Sequence, residues 1–173
     1  MTQAIRSFSE ILDKYDMFIL DQWGVMHDGI RGYDHAIAAI NNLINKNKKL
    51  TIISNSSKRK ISSINSLKNL GFDKNNFIEV MTSGEMIWQE LYNFSDKYDV
   101  KLKNCFHIYD TSKEDGLDFR IGLEKFKFID NIKDADFMLA CTPFQNTKPI
   151  DYIPILKKAL EMNLIMFCAN PDF

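Results

Sequence analysis

Asp21 is the residue in this sequence whose type and position best suit chemistry. It directly follows an apolar run, Met17-Phe18-Ile19-Leu20, and it opens a loop that contains Gly24 and Gly29. Parallel sheets bind ligands at the carboxyl ends of their strands. A carboxylate at such an end can bind a hard cation or attack phosphorus. Asp is also common in turns, so the residue alone leaves both interpretations open.

A second polar cluster, Ser54-Asn55-Ser56-Ser57, follows another apolar run and precedes Lys58-Arg59-Lys60. Hydroxyl, amide and backbone N–H groups at the start of a helix form an anion site. The alternative is that Ser57 serves only as a helix N-cap. If the two runs are neighbouring strands, Asp21 faces a site suited to phosphate.

Apolar runs of strand length alternate with segments of helical periodicity along the whole chain. This order predicts an α/β fold with parallel strands covered by helices, and the first three strands in the order 1-2-3. A more polar stretch near residue 100 marks the start of a second α/β unit. The predicted strands are residues 17–20, 50–53, 77–81, 105–109, 137–141 and 164–169, and the predicted helices are residues 36–45, 58–70, 82–91 and 153–160.

Composition excludes several classes of protein. The 22 basic and 23 acidic residues nearly cancel, so neither nucleic acid nor an anionic membrane is an expected partner. No apolar run approaches the ~20 residues of a membrane span, and the amino terminus lacks the apolar core of an export signal. Three widely spaced cysteines, Cys105, Cys141 and Cys168, indicate buried thiols in a reducing compartment, so we expect a cytoplasmic protein.

Four segments together resemble the haloacid dehalogenase (HAD) superfamily of phosphohydrolases, subclass IIA. They are Phe18-Ile19-Leu20-Asp21-Gln22-Trp23-Gly24-Val25, Ile52-Ile53-Ser54-Asn55, Val80-Met81-Thr82-Ser83-Gly84-Glu85 and Cys168-Ala169-Asn170-Pro171-Asp172. The resemblance implies a Rossmann-like parallel-sheet core with an inserted α/β cap domain. Residues 1–100 would form the amino-terminal part of the core, and residues 101–173 the cap up to its return to the core.

The resemblance also implies roles for individual residues in the hydrolysis of a small phosphorylated metabolite. Asp21 would form an aspartyl-phosphate and would bind Mg²⁺ together with the backbone carbonyl of Trp23. Ser54 would bind the phosphoryl group with Asn55 beside it. The backbone N–H groups of Gln22, Trp23 and Gly24 would hold phosphoryl oxygens, and Thr82, Ser83, Asn170 and Asp172 are the candidates for the cap hinge or substrate contacts.

Two departures from the family pattern predict that this chain alone is inactive. Trp23 stands where active members carry a second Asp, which exchanges protons with the leaving group and water, and such help is worth ~10²–10⁴ in rate. Asp28 and His27 are the possible substitutes. The family's later Lys and acidic pair have no counterpart, so we expect a truncated core.

Two other functions and one structural consequence follow. The chain could be a catalytically impaired phosphate-binding or assembly module. A flavodoxin-like or response-regulator domain would also place an acidic residue at a strand end, but it gives no reason for Asn170-Pro171-Asp172.

The first strand would lie at an open sheet edge, so it would self-associate, be covered by residues 5–12 or leave the fold marginal. Residues 119–128 could form an exposed hairpin or the cap surface that faces the active site.

Overall fold

The computed structural model describes residues 4–94, 101–112, 115–142 and 147–170. By packing, the chain divides into two compact units. The first contains Met1–Ser54 and Ile61–Met81, and the second contains Asn55–Lys60 and Thr82–Phe173. This division falls at Thr82, upstream of the predicted domain boundary after residue 100. Packing alone does not define a domain inserted into another, so that boundary stays a prediction.

The first sheet has three strands in the order β1-β2-β3, as the sequence predicts. They are β1 (Met17–Leu20), β2 (Lys49–Ser54) and β3 (Glu79–Thr82). β1 and β2 are parallel, with Met17 opposite Lys49 and Leu20 opposite Ile52. Two helices connect the strands, α1 (Asp34–Asn45) and α2 (Lys60–Leu67), and a 3₁₀ turn, Lys68–Leu70, extends α2.

The apolar sides of these elements form the core of the first unit. Gly71 ends the turn after α2 with φ of +85°, a conformation that side chains with a Cβ rarely adopt. The core lies on the Phe18 face of the sheet and includes Phe18, Leu50, Ile52, Val80, Ile40, Leu43, Leu67 and Leu70.

The second sheet is separate from the first and has four parallel strands in the order β5-β4-β6-β7. The strands are β4 (Asn104–Ile108), β5 (Lys127–Ile129), β6 (Phe137–Ala140) and β7 (Ile165–Cys168). The helices of this unit are α3 (Ser83–Tyr92), α4 (Asp115–Asp118) and α5 (Pro149–Glu161).

The second unit differs from the sequence interpretation in three places. Strand β5 was missed because it has only three residues, none of them fully buried. The interpretation of residues 119–128 as an exposed hairpin fails, since Phe119, Leu123 and Phe126 are buried in the core. Residues 110–122, which lie in none of the predicted strands or helices, include α4.

Helix α5 begins four residues earlier than predicted. Pro149 occupies its first turn, where a missing N–H costs nothing, and Pro154 lies inside the helix. The backbone N–H of Lys148 donates to the Asp151 carboxylate at 2.8 Å, which fixes the earlier start.

Strand β1 is the terminal strand of its sheet. The preceding chain forms two 3₁₀ turns, Phe8–Glu10 and Leu12–Lys14, and packs Phe8 and Leu12 into the Phe18 core. Ile19, on the opposite face, is 63% exposed. The amino-terminal segment therefore covers one face of β1, and self-association through this strand stays a prediction.

Candidate functional site

The parallel pairing of β1 and β2 brings the two predicted phosphate-site segments to one edge of the first sheet. Leu20 is opposite Ile52, Asp21 directly follows Leu20, and Ser54 ends β2. Because the strands are parallel, both residues lie at the same carboxyl edge, and neighbouring strands are ~4.8 Å apart. The adjacency that the sequence predicts is present, and the chemical roles of the two residues stay predictions.

The Asp21 carboxylate is exposed at this edge. Within the part of the chain that the structure describes, it has no hydrogen-bond or ion-pair partner. Its charge acts on His27, whose pKa is lowered by burial despite the opposing effect of Asp28 and Asp21. An exposed, unpaired carboxylate is available to bind a cation or to act as a nucleophile.

A tight loop follows Asp21. The carbonyl of Gln22 accepts the backbone N–H groups of Met26 at 2.7 Å and of Val25 and His27 at 3.3 Å. Gly24, with φ of +78°, donates its N–H to the His27 carbonyl at 2.8 Å. The predicted role of Gly24 in holding a phosphoryl oxygen therefore requires this hydrogen bond to break.

Trp23 projects from this loop with 71% of its surface exposed. A Cβ placed on Gly29 would lie 3.2 Å from the indole Nε1, so the ring lies against the glycine backbone. The indole N–H is only a donor, and it does not exchange protons at neutral pH. Nothing in this environment gives Trp23 the acid–base role of a carboxylate.

The two proposed substitutes for the missing acid are poorly placed for that role. Asp28 accepts the backbone N–H groups of Arg31 at 2.8 Å and Ile30 at 2.9 Å, and these bonds hold the pKa of its carboxyl below the usual value. His27 is buried, and its Nδ1 accepts the N–H of Gly29 at 3.0 Å. Both side chains stabilise the turn.

The segment after β2 separates into residues with different environments. Ser54 is buried, whereas Asn55 is exposed. The Ser57 hydroxyl forms a 2.6 Å hydrogen bond with the Thr142 hydroxyl within the second unit. The alternative that assigned Ser57 only a capping role therefore misses its actual hydroxyl partner.

The structure describes three of the four candidates for the cap hinge or substrate contacts, Thr82, Ser83 and Asn170. Thr82 is buried and is the N-cap of α3, since its hydroxyl accepts the Glu85 N–H at 3.0 Å. Ser83 is the first residue of that helix. The carbonyl of Asn170 accepts a 3.1 Å hydrogen bond from the Cys168 thiol. Asp172 lies outside the described residues.

His107 lies in a buried, hydrogen-bonded environment in the second unit. Arg120 Nε donates to His107 Nδ1 at 3.2 Å, so the ring proton is on Nε2, which lies 3.3 Å from Cys141 Sγ. Burial and the Arg120 charge lower the pKa of His107 to about 3, and burial raises the pKa of Cys141 to about 12. The pair is uncharged at neutral pH.

Sequence reasoning missed the buried ion pair between Arg59 and Glu85. Arg59 Nε donates to the Glu85 carboxylate at 2.7 Å, and the side chains are 16% and 5% exposed. The only sequence signal was the capping-box spacing of Thr82 and Glu85. The hydroxyl half of that box forms, but Glu85 also accepts the backbone N–H of Lys60 at 3.2 Å.

Two groups of the chain are predicted to bind Mg²⁺, the Asp21 carboxylate and the Trp23 carbonyl, and both are oxygen donors. No group of three His, Cys, Asp or Glu side chains that could hold a metal occurs among the described residues. Proteins often bind Mg²⁺ through one or two carboxylates, with water and substrate phosphate completing the shell. The chemistry of these two oxygen groups is compatible with such a site, and their binding of Mg²⁺ stays a prediction.

The sequence matches the profile of a known family over residues 18–109, more than half of the chain, and that family is described as haloacid dehalogenase-like hydrolase. The chain belongs to this family. The match includes Asp21, the Ser54-Asn55 segment and the Thr82-Ser83 segment. No curated protein sequence gives a significant match.

Solved structures of three other proteins share the fold. A hydrolase of the haloacid dehalogenase-like family from Brucella suis is 25% identical, with a TM-score of 0.80 over 95% of this chain and 59% of its own. A 4-nitrophenylphosphatase from Thermotoga maritima is 19% identical, with a TM-score of 0.60 over 94% and 57%. A magnesium complex of glycerol phosphate phosphatase from Mycobacterium tuberculosis is 13% identical, with a TM-score of 0.59 over 94% and 46%.

The chain therefore spans about half to three fifths of the length of these relatives. No helix in the described part of the chain is long and apolar enough to cross a membrane.

Proposed function

We propose that this HAD-like chain provides the nucleophile and the phosphate-binding residues of a Mg²⁺-dependent phosphatase for small phosphorylated metabolites. The observation that carries this proposal is the exposed Asp21 carboxylate at the end of β1, beside the Ser54 end of β2. Solved relatives include two phosphatases, one of them in complex with magnesium, which supports the same class of reaction.

In the proposed reaction, an oxygen of Asp21 attacks phosphorus and the bond to the leaving-group oxygen breaks. This forms an aspartyl-phosphate and releases the alcohol, which takes a proton from water. Ser54 and Asn55 orient the phosphoryl group. Asp21 and the Trp23 carbonyl would hold Mg²⁺, which supplies charge neutralisation for phosphoryl oxygens when it is bound.

Trp23 makes the second half of this reaction slow. Hydrolysis of the aspartyl-phosphate requires a base that activates water, and the indole is not a base. Asp28 and His27 are occupied by backbone hydrogen bonds in the same loop. We therefore propose that the 173-residue chain does not turn over by itself, and an impaired phosphate-binding or assembly module is the second candidate function.

Turnover of p-nitrophenyl phosphate with Mg²⁺ tests this proposal on the parent chain, Asp21→Asn and Trp23→Asp. We expect negligible turnover by the parent and by Asp21→Asn. Because Trp23→Asp restores a carboxylate at the acid–base position, we expect a gain toward the ~10²-fold end of general catalysis. The double variant should lose this gain. Parent turnover that disappears in Asp21→Asn would show that another group supplies the proton.

The partners of the chain are also proposals. A small phosphorylated metabolite would be the substrate, and a second copy of the chain would associate along the terminal strand β1. All three cysteines are free thiols, which supports the proposed cytoplasmic location, but only Cys105 and Cys141 are buried. The expectation of a buried thiol is therefore wrong for Cys168, which is exposed.

A further inference from the structure

Residues at the start of α3 hold the segment Asn55–Lys60, which begins with the candidate phosphate-binding residue Asn55. The Gly84 N–H donates to the Ser56 carbonyl at 3.0 Å. The Thr82 hydroxyl donates to the Lys58 carbonyl at 2.6 Å. These hydrogen bonds lie within the second unit and join two backbone segments 24 or more residues apart in sequence.

The two backbones approach so closely that a side chain at Gly84 has no space. A Cβ built there would lie 2.1 Å from the Ser57 carbonyl oxygen and 2.5 Å from that of Lys58. Since those contacts are with backbone, the segment would have to move to accommodate any other residue. Gly84 therefore sets the distance between α3 and this segment.

Glu85 completes the attachment with a buried carboxylate. One of its oxygens accepts both the side chain of Arg59 and the backbone N–H of Lys60. Burial raises the pKa of Glu85, but these hydrogen bonds and the Arg59 charge outweigh burial, so the pKa lies below its ordinary value. The carboxylate is ionised at neutral pH.

Arg59 makes further contacts within the second unit. Its guanidinium carbon lies 3.7 Å from the centre of the Trp88 ring, and Nη1 donates to the Ile121 carbonyl at 3.3 Å. The Trp88 indole N–H donates to the same carbonyl at 3.0 Å. The charge of Arg59 is thus neutralised by Glu85 inside the unit, and Arg59 acts as a structural cation.

We propose that Thr82 and Glu85 are positioning residues that order the segment Asn55–Lys60 before phosphate binds. Neither would touch the phosphate. The inference rests on the proposed function, because that function assigns Asn55, the first residue of this segment, to the phosphate site. A segment that is already ordered loses less conformational freedom on binding, so it binds more tightly than a loose one.

The test combines inorganic phosphate affinity, measured by calorimetry, with amide hydrogen exchange of the segment. Thr82→Val removes the hydroxyl while keeping the shape, and Thr82→Ser restores the hydroxyl. We expect Thr82→Val to weaken phosphate binding about tenfold, which corresponds to ~1.4 kcal/mol. It should also speed exchange at residues 55–60 specifically, and Thr82→Ser should recover most of both properties.

Glu85→Gln is the second variant, with Glu161→Gln as the matched control at an exposed ion pair. Glu85→Gln leaves Arg59 without its counter-ion and can unfold the second unit, so Thr82→Val is the deciding change. If Ser54→Ala abolishes phosphate binding while Thr82→Val binds like the parent, the positioning role is wrong and the proposed function stands.

A parent chain that binds no phosphate would instead refute the proposed function. In that case, amide exchange alone tests whether Thr82 orders the segment Asn55–Lys60. Faster exchange limited to residues 55–60 in Thr82→Val supports it, and unchanged exchange overturns it.

Discussion

Neutral His107 should make the second unit sensitive to acid. Its pKa of about 3 in the folded chain lies well below the ordinary value of 6.5, because burial and the Arg120 charge both disfavour protonation. Between these values the unfolded chain binds a proton that the folded chain does not, so stability falls as the pH falls below 6.5. The loss continues until the folded-state pKa is reached.

The size of this stability loss depends on how far the pH lies below the pKa of His107 in the unfolded chain. At pH 5 the unfolded imidazole is mostly protonated and the folded one is neutral, so the loss relative to pH 7 is about 2 kcal/mol, at ~1.36 kcal/mol per pH unit. Other groups, including His27, contribute to the same trend. The quantity to compare is therefore the difference in pH dependence between the parent and a variant that lacks this imidazole.

Urea unfolding at pH 7 and pH 5 measures this difference. A Trp23→Phe background leaves Trp88 as the fluorescent reporter, and Trp88 belongs to the same packing unit as His107. We expect His107→Gln to be less stable at pH 7 but to lose about 2 kcal/mol less than the parent on acidification. His35→Gln, at an exposed position, is the control for replacing a histidine outside the second unit. Equal pH dependence of His107→Gln and the parent would refute the buried, neutral imidazole.

Three further predictions concern stability and association. Gly122→Ala should destabilise the second unit by ~1–3 kcal/mol in urea unfolding, since Gly122 has φ of +85° and a Cβ would lie 2.7 Å from Trp88 Cζ2. Gly24 has φ of +78° and open space around a Cβ, so Gly24→Ala should show only the smaller cost of backbone strain. Equal losses of stability in Gly24→Ala and Gly122→Ala would contradict the clash with Trp88. Phe119→Ala should lower the free energy of unfolding by ~3–5 kcal/mol, because the Phe119 side chain is fully buried. Leu117→Ala, at an exposed position, should change it by less than ~0.5 kcal/mol. A small effect of Phe119→Ala would restore the exposed-hairpin interpretation. Light scattering should show that the parent chain associates as its concentration rises. Ile19→Lys should suppress this association, because a charge on a terminal strand opposes strand pairing. A parent that is monodisperse at all concentrations would refute association through β1.

The order of the first sheet could be predicted because it depends on local patterns. Each of the first three strands is a short apolar run, and helical periodicity separates them. Right-handed crossovers then bring Asp21 and Ser54 to one edge. The family resemblance rests on the same residues, so the fold and the candidate site were recognised together.

The features that were missed depend on tertiary contacts. The Glu85 side chain has a local capping position, but its ion pair with Arg59 joins residues 26 positions apart. Strand β5 is only three residues long, and its place beside β4 is set by the parallel pairing of Asn104 with Lys127. The hydrogen bond that engages the Gly24 N–H depends on a turn at Val25 and Met26 that contains no distinctive turn sequence.

The most direct test of the central proposal is to locate a phosphoryl group on Asp21. The parent chain is mixed with p-nitrophenyl phosphate and Mg²⁺, quenched in acid and analysed by intact mass and peptide mapping. p-Nitrophenolate leaves without a proton, and Trp23 does not activate water, so the account predicts that one phosphoryl group per chain accumulates on the peptide containing Asp21. Asp21→Asn should carry none. A phosphoryl group on another residue, or none under conditions in which phosphate binds, would contradict Asp21 as the nucleophile.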